Sequence, residues 1–250
     1  TGLCRSFVRR DLLSTFEPTV LAARRDAGAG LQLVTLAPPA SHSSAYQSPG
    51  QYIQVRTDSG SGYFVLAGEC HAPSWEILVR NNGEASTDLI GAPEGTVVGA
   101  TTPLGNGFPI ARARGRSLLI AVVGSALAVA RPLFRDRIAH REAPLTSVYI
   151  GVRSSKEIPL VDEVAGWAHA GARLVLCLSR AAEDDPAVLP EALRAQGYVQ
   201  SVIAADLASN RLGADMVFAA GPAGMLEAMR GLSAATLEVV LAADREARRL

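Results

Sequence analysis

The hydrophobic pattern of this chain changes its period near residue 113, and this change constrains the fold more than any other feature. On the N-terminal side, apolar and polar residues alternate in short segments, at 31–36, 52–56 and 75–80, as they do in half-buried strands. On the C-terminal side, short runs rich in Val, Ile and Leu recur at 117–123, 147–152, 173–179 and 215–220. Such runs are typical of strands buried on both faces of a parallel sheet.

These patterns predict a chain in three parts. Residues 1–30 form an N-terminal extension that we expect to pack as a helix outside the next part. Residues 31–113 form a small antiparallel β-barrel. Residues 114–250 form a doubly wound α/β domain, whose crossover helices are predicted at 127–140, 161–169, 190–196 and 225–232. The predicted fold class is therefore β followed by α/β.

The composition narrows the classes of partner. The 24 basic and 24 acidic residues give the 250-residue chain no net charge, so no field of one sign favours nucleic acid or anionic lipid. The longest apolar run, 118–130, is shorter than the roughly 20 residues that a spanning helix needs, so no transmembrane segment is predicted. Arginines nevertheless recur at 112–116 and 131–141. They indicate either a solvated helix face or an electropositive surface for docking or phosphate binding.

The cysteines and histidines indicate no metal site. Cys4, Cys70 and Cys177 lie far apart in the sequence, and no pair has the spacing of a metal ligand set or a redox motif. We expect reduced thiols. The four histidines likewise have no metal-ligand spacing and no nucleophile motif beside them.

Several short motifs occur in a fixed order along the chain. Pro-Gly-Gln-Tyr stands at 49–52, Gly83 and Ser86 form a Gly-x-x-Ser element, and Pro-Leu-Gly-Asn-Gly-Phe stands at 103–108. Gly124-Ser125 follows the first apolar run, and Gly221-Pro222 follows the last. In this order the motifs resemble those of the ferredoxin–NADP reductase superfamily, over roughly residues 31–232.

The resemblance implies that the barrel binds FAD. Tyr63, Phe64 and Val65 occupy the segment that holds the flavin in that family, and Phe64 or Tyr63 would stack on the isoalloxazine ring. Gly62 stands where the family has an arginine that pairs the flavin phosphate. Because an arginine–phosphate fork is a strong polar contact, its loss predicts that FAD is held weakly.

The Gly-x-x-Ser element implies a second contact with the flavin. Ser86 and Thr87 are expected to cap a short helix that begins near Gly83, and its free amide groups would face the diphosphate. The alternative is a helix cap with no ligand. The sequence leaves both open.

The resemblance also implies a nicotinamide nucleotide in the α/β domain. Gly124 and Ser125 belong to a turn that is glycine-rich in the family, but Ala126 and Val129 replace its second glycine and its proline, so nucleotide affinity is expected to be reduced. Arg153 and Ser154 stand where the family selects the adenosine end. An arginine there suits the 2′-phosphate of NADP(H), with NAD(H) as the alternative.

Gly221 and Pro222 are expected to lie beside the nicotinamide. The family's cysteine before them is Ala220 here, and the motifs name no catalytic side chain. A C-terminal cysteine cluster, which iron–sulfur relatives carry, is also missing from this chain. An integral iron–sulfur cluster is therefore not expected.

The function implied by the resemblance is NAD(P)H-dependent electron transfer through FAD to an acceptor protein. The altered motifs leave a second hypothesis, a catalytically degenerate member that serves as a structural or assembly subunit. Either role is compatible with a homodimer or a larger complex. The changes in the flavin segment are most similar to those of the ferredoxin-reductase-like proteins of plant and algal plastids, which predicts a chloroplast location, with the cytoplasm as the alternative.

Overall fold

The computed structural model describes residues 15–42, 44–180, 182, 185–232 and 238–243. Twelve strands and five α-helices lie within these ranges. None of the helices in the described part of the chain is long and apolar enough to cross a bilayer. The strands form two sheets of six, which divide the chain into an N-terminal barrel domain and a C-terminal α/β domain.

The barrel domain is an antiparallel sheet in the order β4-β3-β6-β1-β2-β5. Its strands and its one helix are β1 (Glu17–Gly28), β2 (Leu31–Ala37), β3 (Tyr52–Arg56), β4 (Ser61–Val65), β5 (Trp75–Arg80), α1 (Glu84–Gly91) and β6 (Val97–Ala100). The sheet closes beyond the end of β4, where Leu66 pairs with Ile77. Alternate residues, among them Val34, Ile53 and Trp75, fill the interior, as the period-two segments predict.

Strand β1 corrects the prediction for residues 1–30. Residues 17–28 are not a helix outside the barrel but a barrel strand, which pairs with both β2 and β6. A two-residue turn at Ala29 and Gly30, both with positive φ, joins β1 to β2, as in a tight hairpin. The Ala- and Arg-rich composition of β1 conceals the strand, because only one of its three buried positions carries a large apolar residue, Leu21, while Thr19 and Ala27 are small. Residues 1–14 lie outside the described residues.

The α/β domain is a parallel sheet in the order β10-β9-β8-β7-β11-β12, as predicted. Its elements are β7 (Leu118–Val123), α2 (Leu127–Ala139), β8 (Thr146–Val152), α3 (Val161–His169), β9 (Arg173–Leu178), β10 (Leu193–Gln196), α4 (Val199–Ala208), β11 (Met216–Gly221), α5 (Ala223–Gly231) and β12 (Glu238–Ala243). The chain builds outward from β7 to β10 and then returns to the other side of β7. The strand order therefore reverses between β7 and β11, and in such sheets ligands bind at the carboxyl ends of the strands at this point.

Both faces of the parallel sheet are covered, which explains its continuous apolar strands. Side chains such as Ile120 and Ile150 pack with α2 and α3 on one face, and neighbours such as Leu119 and Tyr149 pack with α4 and α5 on the other. The cluster on the α2–α3 face also contains barrel residues, including Leu33, Leu78 and Phe108. The barrel thus rests on this face, and the predicted domain boundary near residue 113 falls in the connection between β6 and β7.

The helix predicted at 190–196 is wrong. Residues Leu193–Gln196 form the edge strand β10, which pairs in parallel with β9 from Val175 to Leu178. Glu-Ala-Leu-Arg-Ala-Gln is a good helical sequence by intrinsic propensity, but seven residues are too few to form a stable helix unaided. Pairing with the sheet edge overrides the local preference. Strands β4, β6 and β12 and helix α4 were not predicted.

Candidate functional site

A cavity of about 440 Å³ lies between the two domains, at the point where the strand order of the parallel sheet reverses. The barrel wall is formed by residues from three strands and three loops, namely Gly50, Tyr52, Tyr63, Phe64, Val65, Leu78, Arg80, Asn82 and Gly105–Phe108. The opposite wall is formed by the ends of α/β strands and the start of α2, namely Ser125, Ala126, Ala128, Val129, Ala220, Gly221 and Val240. Both walls face one space, and its size is within the usual range for small-molecule sites.

Two of the motifs build the barrel wall by holding each other. The Gln51 side chain accepts hydrogen bonds from the amides of Gln47 and Ser48, at 2.8 and 3.0 Å, and donates one to the carbonyl of Gly105 at 2.9 Å. Ser48 Oγ donates to the Phe108 carbonyl at 2.8 Å. The Pro-Gly-Gln-Tyr turn and the loop at 103–108 are therefore one hydrogen-bonded unit.

Gly107 is required where these two loops meet. Its φ is +66°, and a Cβ atom there would lie 2.6 Å from the Cβ of Ser48 and 2.7 Å from the Pro49 carbonyl oxygen. No larger residue fits without moving the backbone. Next to it, the Phe108 ring lies 4.9 Å from the ring of Phe218 on β11, so the same loop also contacts the α/β domain.

The flavin segment predicted from the sequence lies on β4 and lines the cavity. Tyr63 is half-buried, and its ring lies edge-on to Tyr52 at 5.9 Å. Val65 shares this face of the strand because side chains alternate. Phe64 is only 9% exposed and belongs to the barrel interior. Of the two candidate aromatic rings, Tyr63 is the one that offers more surface to the cavity.

The space beside Gly62 is occupied. A Cβ atom at Gly62 would lie 3.1 Å from the Phe64 ring and 3.6 Å from the Cβ of Ala85. Gly62 is not among the residues that line the cavity. An arginine at this position would therefore require the Phe64 ring to shift.

Sequence reasoning missed the polar residues of the barrel wall. Arg80 and Asn82, at the end of β5 and just beyond it, and Asn106, in the loop at 103–108, all line the cavity. Arg80 is half-buried and donates to the carbonyl of Ala29 at 3.1 Å, which leaves further guanidinium N–H groups for a ligand. A basic residue followed by Asn-Asn-Gly at the end of an amphipathic strand was the available signal.

Ser86 and Thr87 do not cap α1, which corrects their predicted role. The helix begins at Glu84 with Gly83 as its N-cap residue, and the cap has no side-chain hydrogen bond. The Ser86 hydroxyl instead donates back to the Gly83 carbonyl at 2.8 Å, as Ser often does inside helices. The Thr87 hydroxyl lies 2.9 Å from the same carbonyl oxygen and 2.7 Å from Oδ1 of Asn81. Gly83, Ser86 and Thr87 are not among the cavity-lining residues.

The glycine-turn residues lie at the carboxyl ends of the two strands that flank the reversal. Gly124 begins a short 3-10 turn after β7, and Ser125 is the residue of this predicted pair that lines the cavity. Gly221 ends β11 and lines it too, whereas the neighbouring Pro222 is the N-cap residue of α5 and does not. Ala126 and Val129 present aliphatic groups to the same space.

Arg153 and Ser154 lie after β8, away from the cavity lining. The Arg153 side chain is 60% exposed and pairs with Glu157, with 3.0 Å between Nε and the carboxylate. The backbone amide of Arg180, after β9, donates to the Arg153 carbonyl at 2.8 Å. Arg153 and Arg180 are both exposed and follow neighbouring strands. They therefore lie at the carboxyl ends of the parallel strands, as Ser125 and Gly221 do.

The arginines that the sequence singled out are mostly used inside the protein. Arg131 and Arg137 are buried, at 1% and 0% exposure, so neither a solvated face nor a docking surface describes them. Arg137 donates to the carbonyls of Ala113 and Arg116 at 2.7 and 2.8 Å. Arg114 forms a two-pronged pair with Asp136. In the described part of the chain, no cluster of three or more His, Cys, Asp or Glu side chains has the arrangement of a metal site.

No family model matches the chain. A curated relative, the gamma subunit of sulfhydrogenase 2 from Pyrococcus furiosus, is 26% identical over 129 residues. The match covers 50% of this chain and 44% of that subunit, so it spans less than half of the relative's length.

Solved structures match nearly the whole chain. A cytochrome P450 reductase from Amycolatopsis superposes with a TM-score of 0.73 at 22% identity, over 92% of this chain and 71% of that one. A ferredoxin NADP⁺ reductase from Neisseria gonorrhoeae, with bound FAD and NADP, gives 0.72 at 13% identity, over 92% and 98%. The FAD/NAD binding domain of a nitric oxide dioxygenase from Vibrio cholerae gives 0.70 at 16% identity, over 92% and 100%. The chain therefore has the two-domain fold of the ferredoxin–NADP reductase superfamily, which its motifs resemble.

Proposed function

We propose that this protein is a flavin-dependent NAD(P)H oxidoreductase that delivers electrons to an acceptor protein. When bound, FAD would accept a hydride from a reduced nicotinamide and release electrons singly. The observation that carries the proposal is the shared cavity, because one space brings an aromatic barrel wall to the strand ends of a parallel sheet.

The barrel wall fits a flat heteroaromatic ring with a polar tail. Tyr63 offers a ring for stacking, and Val65 and Leu78 supply apolar surface beside it. Arg80 and Asn82 would hold the polar tail, since a guanidinium group and an amide can both donate to phosphate oxygens. Arg80 thus supplies a cation on a wall that lacks the family's arginine at Gly62.

The opposite wall fits a nicotinamide. Ala126, Val129 and Ala220 are small or aliphatic, and Gly221 exposes backbone at the end of β11. These residues exclude water and orient a planar ring by shape rather than by charge. The methyl group of Ala126 narrows the approach to the turn after β7, so we propose weak nucleotide binding.

For the choice of nucleotide we propose NADP(H). Arg153 and Ser154 directly follow β8, at the carboxyl ends of the parallel strands, where the cavity also lies. Arg180 occupies a similar place just after β9. A guanidinium group can bind the 2′-phosphate of NADP(H) with two hydrogen bonds, whereas NAD(H) offers only a hydroxyl. To bind the 2′-phosphate, the Arg153 guanidinium group must release the Glu157 carboxylate. The exposed position of this ion pair permits that change.

An acceptor protein and a compartment complete the proposal. The named relatives include a subunit of a hydrogenase and a reductase for a cytochrome P450, which supports transfer to a partner protein.

The compartment proposed is the chloroplast, on the motif resemblance alone, with the cytoplasm as the alternative. Fractionation of the source cells with an antibody against the protein tests it.

The test of the function is a titration of the purified protein with FAD, followed by the visible spectrum and by flavin fluorescence. We expect uptake approaching one equivalent with a dissociation constant in the micromolar range or above, because a strong phosphate contact is missing. Tyr63→Ala should weaken binding by roughly tenfold through lost stacking. Tyr198→Ala is the control, since Tyr198 is 64% exposed and does not line the cavity.

A folded wild-type protein that takes up no FAD would refute the proposal. The hypothesis of a catalytically degenerate subunit would then replace it. If Tyr63→Ala and Tyr198→Ala weaken FAD binding equally, the flavin does not bind in the cavity beside Tyr63.

A further inference from the structure

The barrel closes at a tightly packed seam that faces the α/β domain. Beyond β4, Leu66 pairs with Ile77, and the Ala67 amide donates to the Glu76 carbonyl at 2.7 Å. A Cβ atom at Gly68 would lie 3.3 Å from Glu76, so the two sides of the seam are in contact. The seam begins at the residue after Val65, which lines the cavity.

Arg131 of α2 binds this seam with a buried guanidinium group. Its side chain is 1% exposed, and Nη1 donates to the Ala67 carbonyl at 2.9 Å and to the Glu76 carboxylate at 3.1 Å. Its Nε lies 2.9 and 3.0 Å from the two carboxylate oxygens of Glu163 on α3. One side chain thus connects the barrel, α2 and α3.

The contacts of Arg131 are more than charge neutralisation requires. A buried cation needs a paired carboxylate, and Glu163 alone satisfies that need. The hydrogen bond to the Ala67 carbonyl is a directional contact with the main chain of the other domain. This hydrogen bond fixes the position of the barrel segment just beyond β4, which a contact between charges alone would not do.

Both walls of the cavity lie within three residues of this contact. Val65 precedes Ala67 on the barrel side, and Ala128 and Val129 precede Arg131 in the first turn of α2. The separation of these wall residues therefore depends on the length of the Arg131 side chain and its bonds. We propose that Arg131 is a positioning residue that sets the spacing between the two walls of the cavity.

Arg135, one turn later in α2, provides a matched comparison. It approaches the same two carboxylates, Glu76 and Glu163, but at 3.8 Å in both cases, and it is 39% exposed. Within the part of the chain that the structure describes, Arg135 forms no hydrogen bond to the barrel main chain. Loss of Arg135 removes a similar charge without removing the bond to Ala67.

The test compares Arg131→Met and Arg131→Lys with Arg135→Met in the whole chain, without cofactor, by hydrogen–deuterium exchange. Temperature is kept where circular dichroism shows equal folded fractions. We expect exchange to rise at least several-fold in peptides covering 63–68 and 126–131 of both Arg131 variants, because these segments lose their mutual contact. Peptides from α4 should not change, and Arg135→Met should resemble the wild type.

A second readout depends on the proposed function. If the wild type binds FAD, Arg131→Lys should weaken nicotinamide-to-flavin electron transfer at saturating nucleotide by roughly tenfold or more, since misplacement by an ångström has effects of that order. The Michaelis constant should change less than the turnover rate. If the wild type binds no FAD, the exchange experiment still decides the role of Arg131.

Equal exchange in Arg131→Met, Arg135→Met and wild type would overturn the proposal. So would a rise spread evenly over the α/β domain, which would mean a general loss of stability. Should the Arg131 variants fail to fold, Glu76→Ala is used instead, because it removes one of the two bonds that Arg131 donates to the barrel, keeps the bond to Ala67 and leaves Arg131 paired with Glu163. A rise confined to 63–68 and 126–131, smaller than in the Arg131 variants because the bond to Ala67 remains, supports the proposal, and unchanged exchange overturns it.

Discussion

The two walls of the cavity are built in different ways. The barrel wall combines residues of strands β3, β4 and β5 with loops that are joined by side-chain hydrogen bonds, and it carries aromatic and polar groups such as Tyr63 and Arg80. The α/β wall consists of strand ends and one helix turn, and apart from Ser125 its side chains are small or aliphatic. The barrel wall can recognise a ligand by specific contacts, whereas the α/β wall can only shape the space.

This difference predicts where substitutions act most strongly. Loops held by close backbone approach tolerate no added atoms, because interiors are densely packed. Strand ends of a parallel sheet are already fixed by the sheet, so changes there should alter ligand preference more than stability. The following substitutions test this contrast.

The largest effect is expected for Gly107→Ala in the barrel wall. The added methyl group would meet Ser48 and Pro49 within 2.7 Å, and the left-handed backbone adds further strain, so we expect a loss of about 3 kcal/mol or more in the free energy of unfolding. Gly115→Ala is the control, since Gly115 has the same φ of +66° but open space around it. It should cost only about 1–2 kcal/mol. Urea unfolding of both variants measures the difference, and equal losses would mean that the loop contact is not tight.

Gly62→Arg separates ligand recognition from stability in the barrel domain. A guanidinium group could add a phosphate contact of about 1.5–3 kcal/mol, while displacement of the Phe64 ring should cost the fold about 1–3 kcal/mol. The dissociation constant for FAD should therefore fall by about tenfold or more while the melting temperature also falls. Gly62→Ala should lower the melting temperature without tightening FAD. If both variants bind FAD equally, position 62 does not face the phosphate.

The sequence predicted the architecture better than the site. Seven predicted strands lie within one residue of observed ones, because alternation and continuous apolar runs report burial directly. Strand β1 escaped detection because Leu21 is the one large apolar residue among its buried positions, and β10 because pairing at a sheet edge is not encoded locally. These failures arise where tertiary contacts decide the outcome.

The structure places only part of the predicted site residues at the cavity. Tyr63, Phe64, Val65, Ser125 and Gly221 line it, and their role as binding residues stays a prediction. The hydroxyl groups of Ser86 and Thr87 lie within 2.9 Å of the Gly83 carbonyl oxygen instead, because a hydroxyl can donate within its own helix. Arg131 could not be recognised either, since a buried arginine and a surface arginine look alike in a single sequence.

On the α/β side, Arg153→Ala should change nucleotide preference and leave stability nearly unchanged. We expect any preference for NADPH over NADH to fall by roughly tenfold, equivalent to about 1.4 kcal/mol. Exposed ion pairs such as that with Glu157 contribute at most about 1 kcal/mol to folding. Arg211→Ala is the matched control, because Arg211 is 62% exposed and also pairs with a nearby carboxylate, that of Asp206. Titration of each variant with both nucleotides tests this, and an unchanged preference would remove Arg153 from the proposed site.

The smallest effect is expected at Ser155, in the loop after β8. The Ser155 hydroxyl group donates to the Asp185 carboxylate at 2.6 Å and the Ser155 amide at 3.0 Å. These bonds, the hydroxyl first, together with the charges of Arg194 and Lys156 hold the pKa of Asp185 below its ordinary value, although partial burial opposes them. A lowered pKa stabilises the fold above the ordinary pKa of aspartate, about 3.9, and this contribution is lost as the pH falls through the lowered value.

Ser155→Ala should therefore raise the pKa of Asp185, measured by carboxyl NMR. It should reduce the free energy of unfolding slightly at neutral pH and leave it unchanged below the lowered pKa. An unchanged pKa would mean that Arg194, which lies 2.7 Å from the same carboxylate, and Lys156 set it instead, and that the loop after β8 is held by charge rather than by the serine.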